Sequence, residues 1–544
     1  MKKLKEKIKS AITLSLENLF YPHKDYSLAP PKNNSYGDLS SNIALLLSKD
    51  LKKAPMDIGK IIVAQLNKNL DENISSISLT NPGFINFVIN NEFYHSQILN
   101  IINDDTEYGK GNQGNGQTAN VEFVSANPTG PLTIGHGRNA ILGDTISNIL
   151  EWQGYKVTRE YYFNDAGRQM RILAQSVNAR YFELLGKKLK LPKDGYQGEY
   201  IKNIAQSILK EKGKELSSKS SFFKEQSESI LFKEIKNCLI KLGIKFDYFT
   251  NEKTFYENGD IKKLITKLRK KKLIYEKDNA TWFKTSALGK NQDRVYIKAT
   301  GEPTYRVPDT AYHIDKIKRK YDLIIDIFGA DHADAYPDVI TALQALGYKT
   351  NHIKVLIYQF VTLVKDGQKI KMSTRKANFI TLDKLIDEVG VDVIRYFFIM
   401  RSMSSHLDFD INLAKDNSDK NPVFYLQYAH ARICNIIHRF NSADKIIDAT
   451  FDSSLLIHDD EINLLKYVTR FPEYVNMAYK NLEPQNIVTY LQELSTRFHK
   501  FYNSCRVMTD DIELSKARIA LVKATKIVLI NGFSILGISA PEKM

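Results

Sequence analysis

The chain has 544 residues, 43% of them hydrophobic, so it is long enough for several domains and apolar enough to bury sizeable cores. Lysine and arginine number 77 against 62 acidic residues, a net charge of +15 that suits a polyanionic partner such as nucleic acid or, equally, a solvated lysine-rich surface. Three cysteines (Cys238, Cys434, Cys505), none in a CxxC pair, exclude a disulfide framework and a cysteine zinc site and fit the reducing cytoplasm.

The basic start resembles a signal segment only superficially, because Ser10, Thr13 and Ser15 interrupt its apolar part. Leu4, Ile8, Ala11, Ile12 and Leu19 instead fit an amphipathic helix. Residues 84–89 read as a strand after the turn Asn81-Pro82-Gly83, and the Gly/Asn/Gln-rich stretch 104–120 reads as a boundary. An appended α+β module is therefore expected over residues 1–110. Val121 to Val124 then reads as a short buried strand, and Asn127-Pro128-Thr129-Gly130-Pro131 must break it. A helix with Leu142, Ile146, Ile149 and Leu150 on one face should follow, stop at Gly154 and lead to a second strand, Val157 to Phe163. That is a βαβ unit, whose crossover should be right-handed. It delivers Gly135-His136-Gly137-Arg138 to a helix N-terminus, where unpaired amides and the positive dipole end favour an anion. Two glycines let the backbone approach a ligand, and His136 and Arg138 add donors for a phosphate.

A lysine-rich helical stretch broken by Pro192, Gly195 and Ser217–Ser221 opens an insertion over about 183–290. Within it, Ile261 to Lys272 is a basic amphipathic helix, either a solvated face or a contact for phosphate backbone. Sheet patterns resume at 293–297 and 323–328, and the latter ends at Gly329-Ala330-Asp331-His332, where α/β sheets bind ligands. A strand at 353–359 leads to the basic loop 365–376, which is an exposed turn or closes over a triphosphate. From about 415 the pattern is nearly all helix, with Leu426, Ala429, Ile433, Ile436, Ile437 and Phe440 on one side and Gln427, Arg432, Asn435 and Arg439 on the other. The apolar run 520–538 carries Lys523 and Lys526, so no membrane span is expected. The predicted class is α/β: a Rossmann-like parallel-sheet catalytic domain over 111–414, an N-terminal α+β module, and a C-terminal all-α domain over 415–544.

The spacing Gly135-x-Gly137-x-x-Ala140, with Glu160 downstream, also matches a dinucleotide fingerprint and so a nicotinamide-dependent dehydrogenase. The break at 127–131 and the histidine between the glycines speak against it.

Together these stretches resemble the class I aminoacyl-tRNA synthetases and, among them, the arginyl-tRNA synthetases. Leu132-Thr133-Ile134-Gly135-His136 resembles that class's HIGH element, and Lys371-Met372-Ser373-Thr374 its KMSK loop. Similar to the arginyl family are Ser125-Ala126-Asn127-Pro128, Gly329-Ala330-Asp331-His332, the Tyr305-x-x-x-Asp309 pair, the run from Asn421 to Arg432 and the ending Ser539–Met544. The resemblance implies ATP-dependent activation of L-arginine and transfer to the terminal ribose of tRNA(Arg), releasing AMP and diphosphate. It implies His136, Lys371 and Gly135 as catalytic residues, with Thr133, Arg138, Met372, Ser373 and Arg375 joining them around ATP. For arginine it implies Glu122, Asn127, Tyr305, Asp309 and Asp331, and carboxylates suit a planar guanidinium fork. Mg²⁺ accompanies ATP with no dedicated protein site, the first module holds the tRNA elbow, the helical domain holds the anticodon, and the enzyme is a monomer. Two departures stand out: Thr133 replaces the first HIGH histidine and Thr374 the second KMSK lysine. Another HIGH/KMSK synthetase and an inactive tRNA-binding paralogue are the remaining alternatives.

Overall fold

Side chains alternate across a strand, and in the strand Thr118–Glu122 (β1) this puts Ala119 and Val121 on one face and Asn120 and Glu122 on the other. All four are buried, so the sheet has an apolar layer on one side and a layer carrying polar groups on the other. The computed structural model describes residues 1–544 except 166, 188, 371–379 and 443–450. The KMSK-like residues Lys371, Met372, Ser373 and Thr374, and Arg375 after them, lie outside the described residues.

Beyond β1 come helix α1 (Ile134–Trp152), β2 (Lys156–Phe163), β3 (Tyr248–Asn251), helix α2 (Arg306–Lys318), β4 (Leu323–Gly329), helix α3 (Tyr336–Ala345) and β5 (Ile353–Tyr358). The five strands are parallel in the order β5-β4-β1-β2-β3. The chain winds outward through α1 to β2 and β3, then returns to β4 on the other side of β1. Between β1 and β4 the winding reverses, which is where an open α/β sheet leaves a crevice at the carboxyl ends of its strands.

Helix α1 is buried nearly all round, so neighbours approach it closely. A Cβ on Gly143 would lie 2.1 Å from Cγ of Phe123, and one on Gly137 would lie 2.6 Å from Cδ1 of Leu382 and 2.8 Å from Cε2 of Phe398. Gly137 thus serves packing; of the two glycines expected to admit a ligand, only Gly135 is open, with its nearest neighbour 3.8 Å away.

The insertion differs from its predicted form in two ways. Edge strand β3 falls inside residues 183–290, so the main sheet divides the insertion into two pieces. The strand Arg294–Ile297 does not join the main sheet; it pairs antiparallel with Ala280–Phe283, which pairs with Ile274–Lys277. Before β3, the helices Gly167–Leu184, Glu199–Lys212 and Phe222–Lys241 pack around their own apolar cluster.

At the N-terminus four antiparallel strands are flanked by helices, the first burying Leu4, Ile8, Ile12 and Leu16 at helical spacing. This module rests on the C-terminal helices through Lys5–Glu473 (2.7 Å) and Asp38–Lys466 (2.8 Å). The helical region includes α4 (Pro422–Ser442), α5 (Gln485–Ser504) and α6 (Ile512–Leu536). Gln427, expected on the side of α4 away from the apolar stripe, is itself buried and donates to Asp392 (2.8 Å). Helix α6 is long and apolar enough to cross a bilayer, but 72% of its most apolar stretch is buried inside the protein.

Candidate active site

A cleft of about 310 Å³ opens where the winding reverses, walled by the ends of β1, β2, β4 and β5 and by the start of α2. Its back is the turn after β1. The strand ends at Glu122, two residues short of the expected Val124, because Val124 (φ 64°) and Ser125 (φ 43°) both take left-handed backbone conformations. Such conformations cost about 1–3 kcal/mol each and persist only when neighbours hold them. Asn139 accepts from the Val124 amide (2.8 Å), the Ser125 hydroxyl donates to Glu122 (2.9 Å), and the Tyr162 amide donates back to that hydroxyl (3.1 Å).

On one wall, Thr133 begins helix α1. Its backbone N–H donates to Nδ1 of His136 (3.1 Å), with its hydroxyl 3.2 Å from the same nitrogen. An accepting Nδ1 leaves the ring proton on Nε2. Burial pushes the His136 pKa down to about 4, so the ring is neutral and serves as a hydrogen-bond donor. The chain just past the basic loop is fixed to this turn: Thr381 pairs with Thr133, and the Leu382 amide donates to the Leu132 carbonyl (2.8 Å).

Arg138 requires a correction. It was expected at the phosphates, but it is fully buried and its guanidinium donates to the carbonyls of Gln359 (2.7 Å), Ser402 (2.9 Å) and Ser405 (3.1 Å). Two residues on from His136, about 200° around the helix, it stands on the opposite side of α1, where it ties down backbone.

The other wall is acidic. Asp309 lines the cleft, and its carboxylate forms no ion pair among the described residues; burial pushes its pKa up to about 7. Glu252, also buried, accepts from Tyr162 (3.0 Å) and Asn164 (2.8 Å), both neutral donors. Glu122 lines the cleft as well, but its charge is already engaged: Oε2 lies 2.5 Å from Nζ of Lys316, whose ammonium also meets Asp326 (2.6 Å). His313 donates from Nε2 to Asp326 (2.9 Å) and from Nδ1 to the Asp309 carbonyl (2.8 Å). A carbonyl and an ionised carboxylate can only accept, so both ring nitrogens carry protons. Asn127 accepts from the Asn164 amide (3.0 Å), Tyr305 stands half-exposed at the rim with the Arg306 guanidinium over its ring (4.9 Å), and exposed Asp331 follows β4. The cleft thus brings together Glu122, Asn127, His136, Tyr305, Asp309 and Asp331; Thr133 and Gly135 stand beside it in the first turn of α1, and Arg138 is turned away.

Comparison with known proteins decides the family. The model for "tRNA synthetases class I (R), catalytic domain" matches residues 97–396, that for the arginyl tRNA synthetase N-terminal domain matches 2–89, and that for the DALR anticodon binding domain matches 426–544. The arginine–tRNA ligase of Desulfotalea psychrophila is 46% identical over 524 residues, covering 95% of both chains. The chain belongs to the arginyl-tRNA synthetases. The arginine–tRNA ligase of Chlorobium phaeobacteroides is 48% identical over 524 residues (94% of this chain, 95% of that one). The Thermus thermophilus arginyl-tRNA synthetase structure superposes with a TM-score of 0.76 over 99% of this chain and 100% of its own, at 20% identity, and so shows the shared fold.

The dehydrogenase alternative fails on its own acid as well as on family. Glu160 is fully buried and bound to Asn120 (2.6 Å), Thr250 (2.5 Å) and Arg319 (2.9 Å), so it has nothing left for a ribose. Sequence reasoning missed Glu252, His313, Lys316 and Asp326. Three carried a signal: Asp326 stands within the otherwise apolar Leu323–Phe328 run, and His313 and Lys316 recur with Asp309 at one-face helical spacing. Glu252 stood in no motif.

Proposed function

We propose that the chain is an arginine–tRNA ligase whose side-chain pocket is the acidic wall of this cleft and whose phosphate side is the start of α1. The observation that carries the reading is Asp309, a carboxylate without an ion-pair partner among the described residues, facing a cleft whose other wall is a helix N-terminus bearing a neutral histidine donor. A guanidinium brings the missing positive charge and a fork of donors for Asp309, with Tyr305 and Asn127 completing its contacts. The arginine carboxylate then attacks the α-phosphorus of ATP and pyrophosphate leaves, while the α1 amides and His136 Nε2–H stabilise charge on the phosphates. The terminal ribose hydroxyl of the tRNA attacks the arginyl carbonyl in turn, and AMP leaves.

By their resemblance to the KMSK element, Lys371, Met372, Ser373 and Arg375 serve the phosphates; the described chain after them supports this, since Thr381 pairs with Thr133 at the start of α1. Mg²⁺ accompanies the ATP phosphates. Three units divide the work: 1–110 for the tRNA elbow, 111–414 for chemistry and 415–544 for the anticodon. In the last, Arg432 lies between the exposed rings of Tyr428 (4.6 Å) and Tyr502 (4.9 Å), an aromatic and cationic face suited to stacking unpaired bases. The enzyme works as a cytoplasmic monomer.

The test is charging of total tRNA with each amino acid in turn, alongside pyrophosphate exchange with and without tRNA. Arginine alone should be charged, and exchange should require tRNA. Charging of another amino acid, or none, would overturn the reading.

A further inference from the structure

Glu122 and Asp326 are register partners on the adjacent parallel strands β1 and β4. Neighbouring strands lie about 4.8 Å apart, and like charges directly opposite each other are destabilising. Both carboxylates are almost fully buried, so water cannot screen them. Lys316 resolves this from helix α2: its ammonium, itself fully buried, touches both acids and lies 4.3 Å from the centre of the Tyr312 ring. His313, protonated on both nitrogens, closes the other side of Asp326. The four groups form a row of alternating sign, Glu122, Lys316, Asp326 and His313, that is neutral as a whole. Of the Glu122 oxygens, one faces Lys316 and the other accepts from Ser125.

We propose that Lys316 is a positioning residue of the arginine pocket: it makes Glu122 a counter-ion in a neutral floor and leaves Asp309 to match the guanidinium. This rests on the reading that the acidic wall receives the arginine side chain. It differs from the role the motif suggests for Glu122, direct contact with substrate, and the two make opposite predictions. If Glu122 is a counter-ion, Glu122→Gln leaves the floor with a surplus positive charge that repels arginine. Lys316→Met alone leaves two adjacent acids with no cation between them, which must separate or take up a proton. Combining the two restores neutrality and keeps the Asp326–His313 pair.

The experiment is tRNA charging by the full-length parent, both single variants and Glu122→Gln/Lys316→Met, with KM measured separately for arginine and ATP. Glu122→Gln should raise the arginine KM about thirtyfold or more, and adding Lys316→Met should bring it back at least about tenfold, the double variant outperforming both singles. The ATP KM should stay within about twofold throughout. If adding Lys316→Met leaves the arginine KM unchanged or raises it further, Glu122 meets the substrate itself and the proposal falls. It falls too if the ATP KM moves in step, since that marks general disturbance. Should Glu122→Gln be insoluble, recovery of soluble protein in the double variant supports the proposal and its absence overturns it. Failure of the underlying reading shows separately, as Asp309→Asn charging arginine like the parent.

Discussion

Replacing Asp309 with asparagine keeps the shape of the side chain and removes its charge. The row beneath the pocket neutralises itself, so this carboxylate can spend its full charge on the substrate. Two unit charges about 4 Å apart attract by about 4 kcal/mol at an effective dielectric near 20, a value suited to partly buried pairs. Against this stands the proton that Asp309 must lose: with a pKa of about 7 it is half protonated at pH 7, which costs about 0.4 kcal/mol. The remainder, about 3.5 kcal/mol, corresponds to a few hundredfold. The specificity constant for arginine, measured by charging under limiting arginine, should therefore fall a few hundredfold in Asp309→Asn. Citrulline, a neutral near-isostere, should be rejected by the parent, and the arginine/citrulline ratio should narrow in the variant. Full arginine activity, or an unchanged ratio, would refute the reasoning and turn attention to Glu252.

The same pKa predicts a pH dependence. Burial, reinforced by Glu252 and Glu122 and opposed by His313 and Lys316, keeps Asp309 protonated below about pH 7, and a guanidinium needs the ionised form, so the arginine KM should fall about tenfold from pH 6 to 8, then level off, with Asp309→Asn abolishing the trend. His136→Ala should slow charging about a hundredfold with a smaller change in the arginine KM, and because the ring is already neutral, the parent's pH–rate profile should show no His136 ionisation between pH 5 and 8. Gly143→Ala places a methyl 2.1 Å from Phe123 and should destabilise by about 1–3 kcal/mol, seen as faster thermal inactivation. Arg432→Ala should weaken tRNA binding in a salt-dependent way and leave the arginine KM nearly unchanged.

The sequence made the βαβ unit, the helical C-terminal region and most of the pocket readable, because each announces itself locally. Strand alternation, a proline-rich break and a helix stop are short-range signals, and the motif residues cluster at strand ends and helix starts. What it hid depends on distance. Glu122 meets Lys316 across 194 residues, and no local pattern at either position says that the charge is already matched. Arg138 stands two places after His136, and periodicity alone could not say that its guanidinium would be consumed by three carbonyls from residues 359–405. The strand at 294–297 had the right composition but the wrong sheet, since composition does not name a partner.

The row of charges also constrains the order in which this chain can become itself. During synthesis Glu122 emerges nearly two hundred residues before the lysine and aspartate that allow its burial. Until then its carboxylate is better left in water, because an unpaired buried charge is strongly destabilising. The sheet's central strand is therefore held open while the insertion is made, and β1 can be sealed only once α2 and β4 have left the ribosome. Helix α1, with glycines at 135, 137 and 143 and little stability of its own, must wait with it. A nascent chain stopped before Asp326 would carry all of residues 132–138 and still lack the strand beside β1 that Glu122 is buried against.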